Sequence, residues 1–170
     1  MLLKNLIKKT PKDLKKIKIS GLALDSRKVK KGDLFFAFKG TELNGENYID
    51  EAIKKGAKVI ICNKNLKKEC KLPIISVEDI KKTLAYACGK FYKHKPKNII
   101  AVTGTNGKSS VAEFFRQILV LNKISVASIG TLGIKKIKKI KKINLTSPDI
   151  ITLHKELEKL KKSNINNVII

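Results

Sequence analysis

"IIAVTGTNGKSSVAEFF" (residues 99–115) places a short apolar run ahead of Thr-Gly-Thr-Asn-Gly-Lys-Ser, and an apolar-periodic segment after it. The run predicts a strand, the two glycines a tight turn, and the periodic part a helix. On that helix Val111, Phe114, Phe115, Ile118 and Leu119 share one face, which is expected to be buried. A strand that ends in such a turn directs backbone N–H groups toward one point, and the helix adds its positive end. Gly104 and Gly107 permit the turn, the Lys108 ammonium reaches terminal phosphates, and the Ser109 hydroxyl can ligate Mg²⁺. The bland alternative is a glycine-rich strand–helix turn with a chance lysine; the correct context on both sides weighs against it. The longer pattern Gly-x-x-x-x-Gly-Lys-Ser/Thr fails, because Val102 stands where its first glycine belongs.

Outward from this loop the rhythm continues. "ISVASI" reads as a strand, and "SPDIITLHKELEKLKK" as a helix with Ile150, Leu153, Leu157 and Leu160 facing one way. Ser147 suits its cap and Pro148 its first turn. "NNVII" then opens a third strand. Strands alternating with helices of this length predict a parallel sheet covered on both faces. "GIKKIKKIKKIN" (residues 133–144) has isoleucine at every third position, which fits neither strand alternation nor a steady helical face. It reads as a lysine-rich connection, with a basic amphipathic helix lying on a membrane as the alternative.

Toward the N-terminus the pattern is mixed α/β. "DLFFAF", "KVIIC" and "LPIISV" have strand character. "ENYIDEAIKKG" reads as a helix burying Ile49, Ala52 and Ile53, with Gly56 at its stop. "EDIKKTLAYACGKFY" reads as a second, with Ile80, Leu84, Cys88 and Phe91 at helical spacing behind an Asp79 cap. "KHKPKN" (residues 93–98) is polar and carries a proline, so the domain boundary is placed there. The expected fold is a small mixed α/β domain over residues 1–93, then a phosphate-loop parallel-sheet domain, incomplete, over residues 97–170.

At 170 residues and 42% apolar composition the chain is long enough for a buried core and is not disordered in bulk. The net charge of +24 raises nucleic acid as a partner. Arg27 and Arg116 are the only arginines, however, and aromatic residues make up 5%. Nucleic-acid readers lean on arginine forks and aromatic platforms, so a solvated lysine surface is the reading here. Cys62, Cys70 and Cys88 are odd in number and form no C-x-x-C pair, which argues against a disulfide framework or zinc site. His94 and His154 have no cluster of ligands around them. Neither a signal peptide nor a membrane span is legible, so a cytoplasmic protein is expected.

The shorter loop pattern T-G-T-N-G-K-S resembles the ATP loop of the Mur ligase family and its folylpolyglutamate synthase relatives. The likeness extends beyond the loop. "LALDSRKVKKGDLFFAFKGTELNGENYIDEAIKKGAKVIIC" is similar to the N-terminal UDP-binding domain of the muramyl ligases, with D-S-R, G-D-L-F and G-x-x-x-N-G as landmarks. "IGTLGI" followed by "LTSPDIITLHKEL" resembles the branch that adds the third amino acid, rather than the one that adds the terminal dipeptide.

The resemblance implies an ATP-dependent ligase of peptidoglycan precursor synthesis. Such enzymes phosphorylate the D-glutamate carboxylate of UDP-N-acetylmuramoyl-L-alanyl-D-glutamate, and the amine of a free amino acid, diaminopimelate or lysine, then attacks. By residue matching it implies that Leu24, Ser26, Thr41, Glu42 and Leu43 meet the uridine end of the substrate. Gly104, Thr105, Asn106, Gly107, Lys108, Ser109 and Ser110 would hold ATP, with Lys108 as the catalytic cation and Ser109 on Mg²⁺. Thr146 and Ser147 would meet the muramyl-peptide part; the bland alternative is pure helix capping, and one hydroxyl could do both jobs. A surface turn likewise explains residues 25–27.

In the family, the strand matching "NNVII" leads to an acidic residue for a second Mg²⁺, then to a carbamylated lysine and a third domain. The expectation is therefore a fragment, a truncated product or half of a split enzyme with a complementary chain, inactive in ligation alone. On this reading Val168, Ile169 and Ile170 form an exposed edge strand. The rivals are a lysine-rich nucleic-acid-associated protein and another member of the same ATP-loop superfamily.

Overall fold

The computed structural model describes residues 1–38, 44–63, 70–131, 133–136, 140–141 (backbone) and 148–170. Two compact units emerge, Met1–Phe91 and Tyr92–Ile170.

The first unit is built on four parallel strands, β1 (Gly21–Ala23), β2 (Asp33–Ala37), β3 (Val59–Asn63) and β4 (Ile74–Val77), in that spatial order. Leu34, Phe35 and Phe36 on β2 and Val59, Ile60 and Ile61 on β3 are buried whichever way their side chains point. That is why these stretches are continuously apolar rather than alternating. Between β2 and β3 a short 3₁₀ turn, Gly45–Tyr48, leads into helix α1 (Ile49–Lys54). Ile49 and Ala52 of α1 pack in one cluster with Phe35 and Ile60. The chain leaves α1 through Gly56, whose φ is +99°. A Cβ there would also come within 2.9 Å of the Lys31 backbone, so glycine is required twice over. Helix α2 (Ile80–Phe91) follows β4 and buries Ile80, Leu84, Ala87 and Cys88. Its first turn is capped by Asp79, which accepts from the Lys82 N–H at 2.9 Å. The segment ahead of β1 folds back on itself: Leu3 donates to the Ile17 carbonyl and Ile19 to that of Met1, burying Leu3, Leu6, Ile7 and Ile19.

The second unit carries β5 (Asn98–Ile100), α3 (Lys108–Leu121), β6 (Val126–Gly130), β7 (Gly133–Lys135), β8 (Ile140–Lys141), α4 (Ile150–Lys162) and β9 (Asn167–Ile169). Its sheet runs β5-β9-β6-β7-β8, with the first three parallel and β7 and β8 antiparallel. Asn167 is the register pin at the base of the parallel part. Its Oδ1 accepts from Asn98 Nδ2 at 2.7 Å, and its Nδ2 donates to the Ser125 carbonyl at 2.9 Å. Leu157 and Leu160 of α4 pack with Ala127, Ile129, Ile134 and Val168.

Four expectations are corrected here. The strand at "NNVII" is central, not an edge: the crossover through α3 leaves a gap between β5 and β6, and β9 fills it, so Val168 and Ile169 are fully buried. β5 is an edge strand, with Ile99 at 43% exposure. The described part of the lysine-isoleucine stretch pairs as β7 and β8 instead of forming a plain connection, making the sheet mixed. The cap of α4 is Asp149, which accepts from the Thr152 N–H at 3.0 Å, so the helix starts two residues beyond the Pro148 expectation; Ser147 lies outside the described residues. Finally, α3 turns its apolar stripe outward. Val111, Phe114 (64%), Phe115, Ile118 and Leu121 (81%) are exposed, and Leu119 is half-buried. The side of α3 that meets β7 is instead the polar one, through Glu113 and Lys135.

Candidate phosphate-binding site

The β5–β9 ladder runs up to the point where the loop departs. Ile170 donates to the Ile100 carbonyl at 2.8 Å and Val102 to the Ile170 carbonyl at 2.7 Å. Beyond Val102 the chain leaves the sheet, and residues 103–110 are all exposed. The loop stands at the carboxyl ends of parallel strands, where open α/β sheets bind their ligands. Gly107 has φ +75° and a hypothetical Cβ there would meet nothing within 4 Å. The demand for glycine at 107 is therefore purely conformational, a left-handed residue that swings the chain into α3.

Helix α3 begins at Lys108 with no side-chain cap and no acidic residue in its first turn. Val111 donates to the Gly107 carbonyl as the first intrahelical bond, at 2.9 Å. The N–H groups ahead of it have no helical acceptor, so the helix presents unsatisfied donors and its positive end to the loop. Lys108 bends back over the loop, its Nζ donating to the carbonyls of Gly104 and, at 2.9 Å, Thr105. An ammonium held only by two neutral carbonyls lies within the same ring of donors that an incoming anion would use. Ser109 Oγ lies 3.0 Å from Thr131 Oγ1. The hydroxyl and the free donors suit a phosphate chain with its Mg²⁺: oxygen-only chemistry at the hydroxyl and cationic charge at Lys108.

Thr131 was missed as a site residue. It stands just past the end of β6, inside the "IGTLGI" stretch. The available signal was its position: a hydroxyl at the carboxyl end of a strand in the same parallel sheet, where that sheet's loop residues converge.

Behind the loop, Glu113 ties α3 to β7. Its carboxylate accepts from Arg116 at 2.7 and 3.1 Å and from Gln117 at 3.2 Å, and pairs with Lys135 of β7 at 3.4 Å. The hydrogen-bonded Arg116 guanidinium, chiefly, holds this carboxyl down at about 2. Because the folded value lies below the ordinary one of 4.5, the stabilisation is present above that pH and is lost as pH falls from there toward about 2. Water still reaches the pair, so its contribution is about 1–2 kcal/mol. Glu113→Gln is expected to lower the stability of the second unit by that amount at pH 7. The difference from wild type should vanish near pH 2, read from denaturant midpoints across pH.

The uridine-end candidates sit elsewhere in the chain. Leu24 is half-buried just past β1, and Ser26 is buried, its hydroxyl donating to Glu51 of α1 at 2.5 Å. Asp25 caps the turn Ser26–Lys28 and holds the Arg27 side chain at 2.9 and 3.0 Å. β1 and β2 are parallel neighbours, with Ala23 opposite Phe35, so the two strands end toward one edge of the sheet. Thr41, Glu42 and Leu43, and likewise Thr146 and Ser147, lie outside the described residues.

A sheet whose β5, β9 and β6 are parallel, a glycine-rich turn at their carboxyl edge and an uncapped helix with lysine at its start are the features of a phosphate-loop α/β protein. The comparisons with known proteins narrow this. Residues 18–92 match the Mur ligase family, catalytic domain, and residues 102–170 match the Mur ligase middle domain. The chain belongs to the Mur ligase family. It is 40% identical over 152 residues to the UDP-N-acetylmuramoyl-L-alanyl-D-glutamate–2,6-diaminopimelate ligase of Bradyrhizobium diazoefficiens, covering 89% of this chain and 31% of that protein. The ligase of the same name from Zymomonas mobilis is 39% identical over 160 residues, covering 94% and 32%. Among solved structures, a ligase of that name superposes with a TM-score of 0.85 at 21% identity, over 99% of this chain and 35% of the other. The MurF ligase from Thermotoga maritima in complex with ADP gives 0.52 at 25% identity, over 87% and 30%. The chain thus spans about a third of the length of the curated relatives it matches. Among the described residues no helix is long and apolar enough to cross a membrane.

Proposed function

We propose that this chain carries the UDP-substrate and ATP portions of a ligase that joins 2,6-diaminopimelate to the D-glutamate of UDP-N-acetylmuramoyl-L-alanyl-D-glutamate. The observation that carries the reading is the exposed loop from Gly104 to Ser110 opening an uncapped helix, in a chain whose relatives bear that name.

The chemistry asks for activation of a carboxylate, which is a poor electrophile until a phosphoryl group makes one of its oxygens a leaving group. In that step the loop amides and the start of α3 receive the phosphate oxygens. Lys108 exchanges its two carbonyl acceptors for phosphate and neutralises charge that grows at the transferring group. Mg²⁺, when bound, adds Lewis-acid polarisation of the phosphates. The Ser109 hydroxyl would hold it, and Thr131 at 3.0 Å fixes the orientation of that hydroxyl. Leu24 and Ser26, with the 41–43 segment, receive the uridine end, and Thr146 and Ser147 the muramyl-peptide end. The Ser26 hydroxyl gives its proton to Glu51 and keeps its lone pairs to accept from the ligand.

A fluorescent ATP analogue titrated into the 170-residue chain should bind saturably, more tightly with Mg²⁺, and be displaced by ADP. The UDP-linked muramyl dipeptide should bind the same chain without displacing it. Absence of saturable nucleotide binding at millimolar concentration would refute the proposal.

A further inference from the structure

The first unit contains a cavity of about 430 Å³ that neither the phosphate loop nor the uridine-end residues line. It opens at the carboxyl end of β4, between the start of α2 and the N-terminal segment, and its size is within the range of small-molecule sites, about 300–1,000 Å³. Its apolar surface comes from Ile7, Val77 and the Tyr86 ring. Lys8, Lys9 and Lys82 supply charge around it. The carboxylates at its mouth are already engaged: Asp79 accepts from the Lys82 backbone N–H and pairs with its ammonium at 3.6 Å, and Glu78 also has a partner. Lys8 and Lys9, in contrast, have no carboxylate partner among the described residues. Lys8 Nζ and Lys90 Nζ lie 5.0 and 5.5 Å from the centroid of the Tyr86 ring, so two ammonium groups stand at the aromatic wall instead of trailing in solvent.

We infer that this cavity binds a small organic anion, a phosphorylated or carboxylated compound with a flat apolar body. The body lies against Val77, Ile7 and the part of the Tyr86 ring that the Lys8 and Lys90 ammonium groups leave open, and the anionic group meets Lys8 and Lys9. An inorganic anion alone leaves the apolar wall uncovered, and a neutral ring leaves two cations unpaired, so both parts are needed. The site stands at the carboxyl edge of a wholly parallel sheet, the edge on which such sheets bind ligands.

The probe is phenyl phosphate, titrated into the ¹⁵N-labelled 170-residue chain, with phenol and inorganic phosphate as its separate halves. The expected result is saturable shifts of the Val77, Thr83 and Tyr86 amides, with a dissociation constant on the order of 1 mM. Either half should bind at least about fivefold more weakly, as should the Lys8→Ala/Lys9→Ala variant. Both lysines are exposed, so that variant keeps its fold. The Lys108→Ala variant should give the same shifts as wild type. Shifts scattered over the lysines of the whole chain, shifts unchanged in the double variant, or shifts abolished by Lys108→Ala would each overturn the assignment. The last outcome would locate the probe on the phosphate loop instead.

Discussion

Lys108→Ala is expected to weaken ATP binding roughly 100-fold while leaving the melting temperature almost unchanged. The two halves of that result have separate causes. Lys108 is exposed and touches only the carbonyls of Gly104 and Thr105, so removing it strips no core contact and strands no buried charge. Against a triphosphate the same ammonium becomes half of a charge-assisted hydrogen bond, in a place where the helix end already concentrates positive potential. A 100-fold loss corresponds to about 2.7 kcal/mol, within reach of one such contact. Lys108→Arg should recover little, because the bulkier planar fork does not fit where a single point charge bends back over a tight turn. Isothermal titration of the variants against ATP with Mg²⁺, beside their thermal melts, checks both halves. Unchanged affinity in Lys108→Ala would remove the phosphate loop from the functional account.

Val168→Asp is expected to unfold the second unit and spare the first. Val168 is fully buried, paired with Ile99 of β5 on one side and Ala127 of β6 on the other, and packed with Leu157 and Leu160 of α4. A carboxylate there has no donor to accept from and no water, so the cost is on the order of 4–5 kcal/mol or more, comparable with the whole stability of a small domain. The first unit has its own core around Phe35, Ile49 and Ile60 and should keep it. Hydrogen exchange reads the outcome strand by strand. Amides of β5, β6 and β9 should lose protection while those of β2 and β3 retain it. Ile99→Asp supplies the contrast: on the exposed edge strand the same charge should cost about 1 kcal/mol or less. Equal costs at the two positions would mean that β9 is not central.

Much of this molecule is legible along the chain because its determinants are local. A continuous apolar run marks a strand covered on both faces, as at Phe35 and Ile60. A cap such as Asp79 or a stop such as Gly56 acts within a few residues of itself. The phosphate loop belongs to the same class, since a left-handed Gly107 and the first turn of α3 lie within one short stretch. The family likeness extends that legibility to Leu24 and Ser26 by position, but not to the Glu51 carboxylate that occupies the Ser26 hydroxyl, because the partner lies 25 residues away.

What escaped was set by neighbours remote in sequence. The spacing of Val111, Phe114, Phe115, Ile118 and Leu119 predicts an apolar stripe on α3, yet a helix has no means of knowing which face its sheet will meet. Glu113 meets Lys135 of β7, and the stripe turns outward. In the same way "NNVII" announces a strand without announcing its neighbours. Its place between β5 and β6 follows from the crossover through α3 and from Asn167 bonding to both sides. Thr131 became a candidate for the site only when β6 brought it to within 3.0 Å of Ser109. The residues alone therefore determined most of the elements and the glycine-rich turn between β5 and α3, which depend on backbone conformation and periodicity within a few turns. Strand order, the exposed face of α3 and the Ser109–Thr131 pair were decided by the tertiary fold, because packing and long-range pairing are properties of surfaces that exist only once distant segments meet.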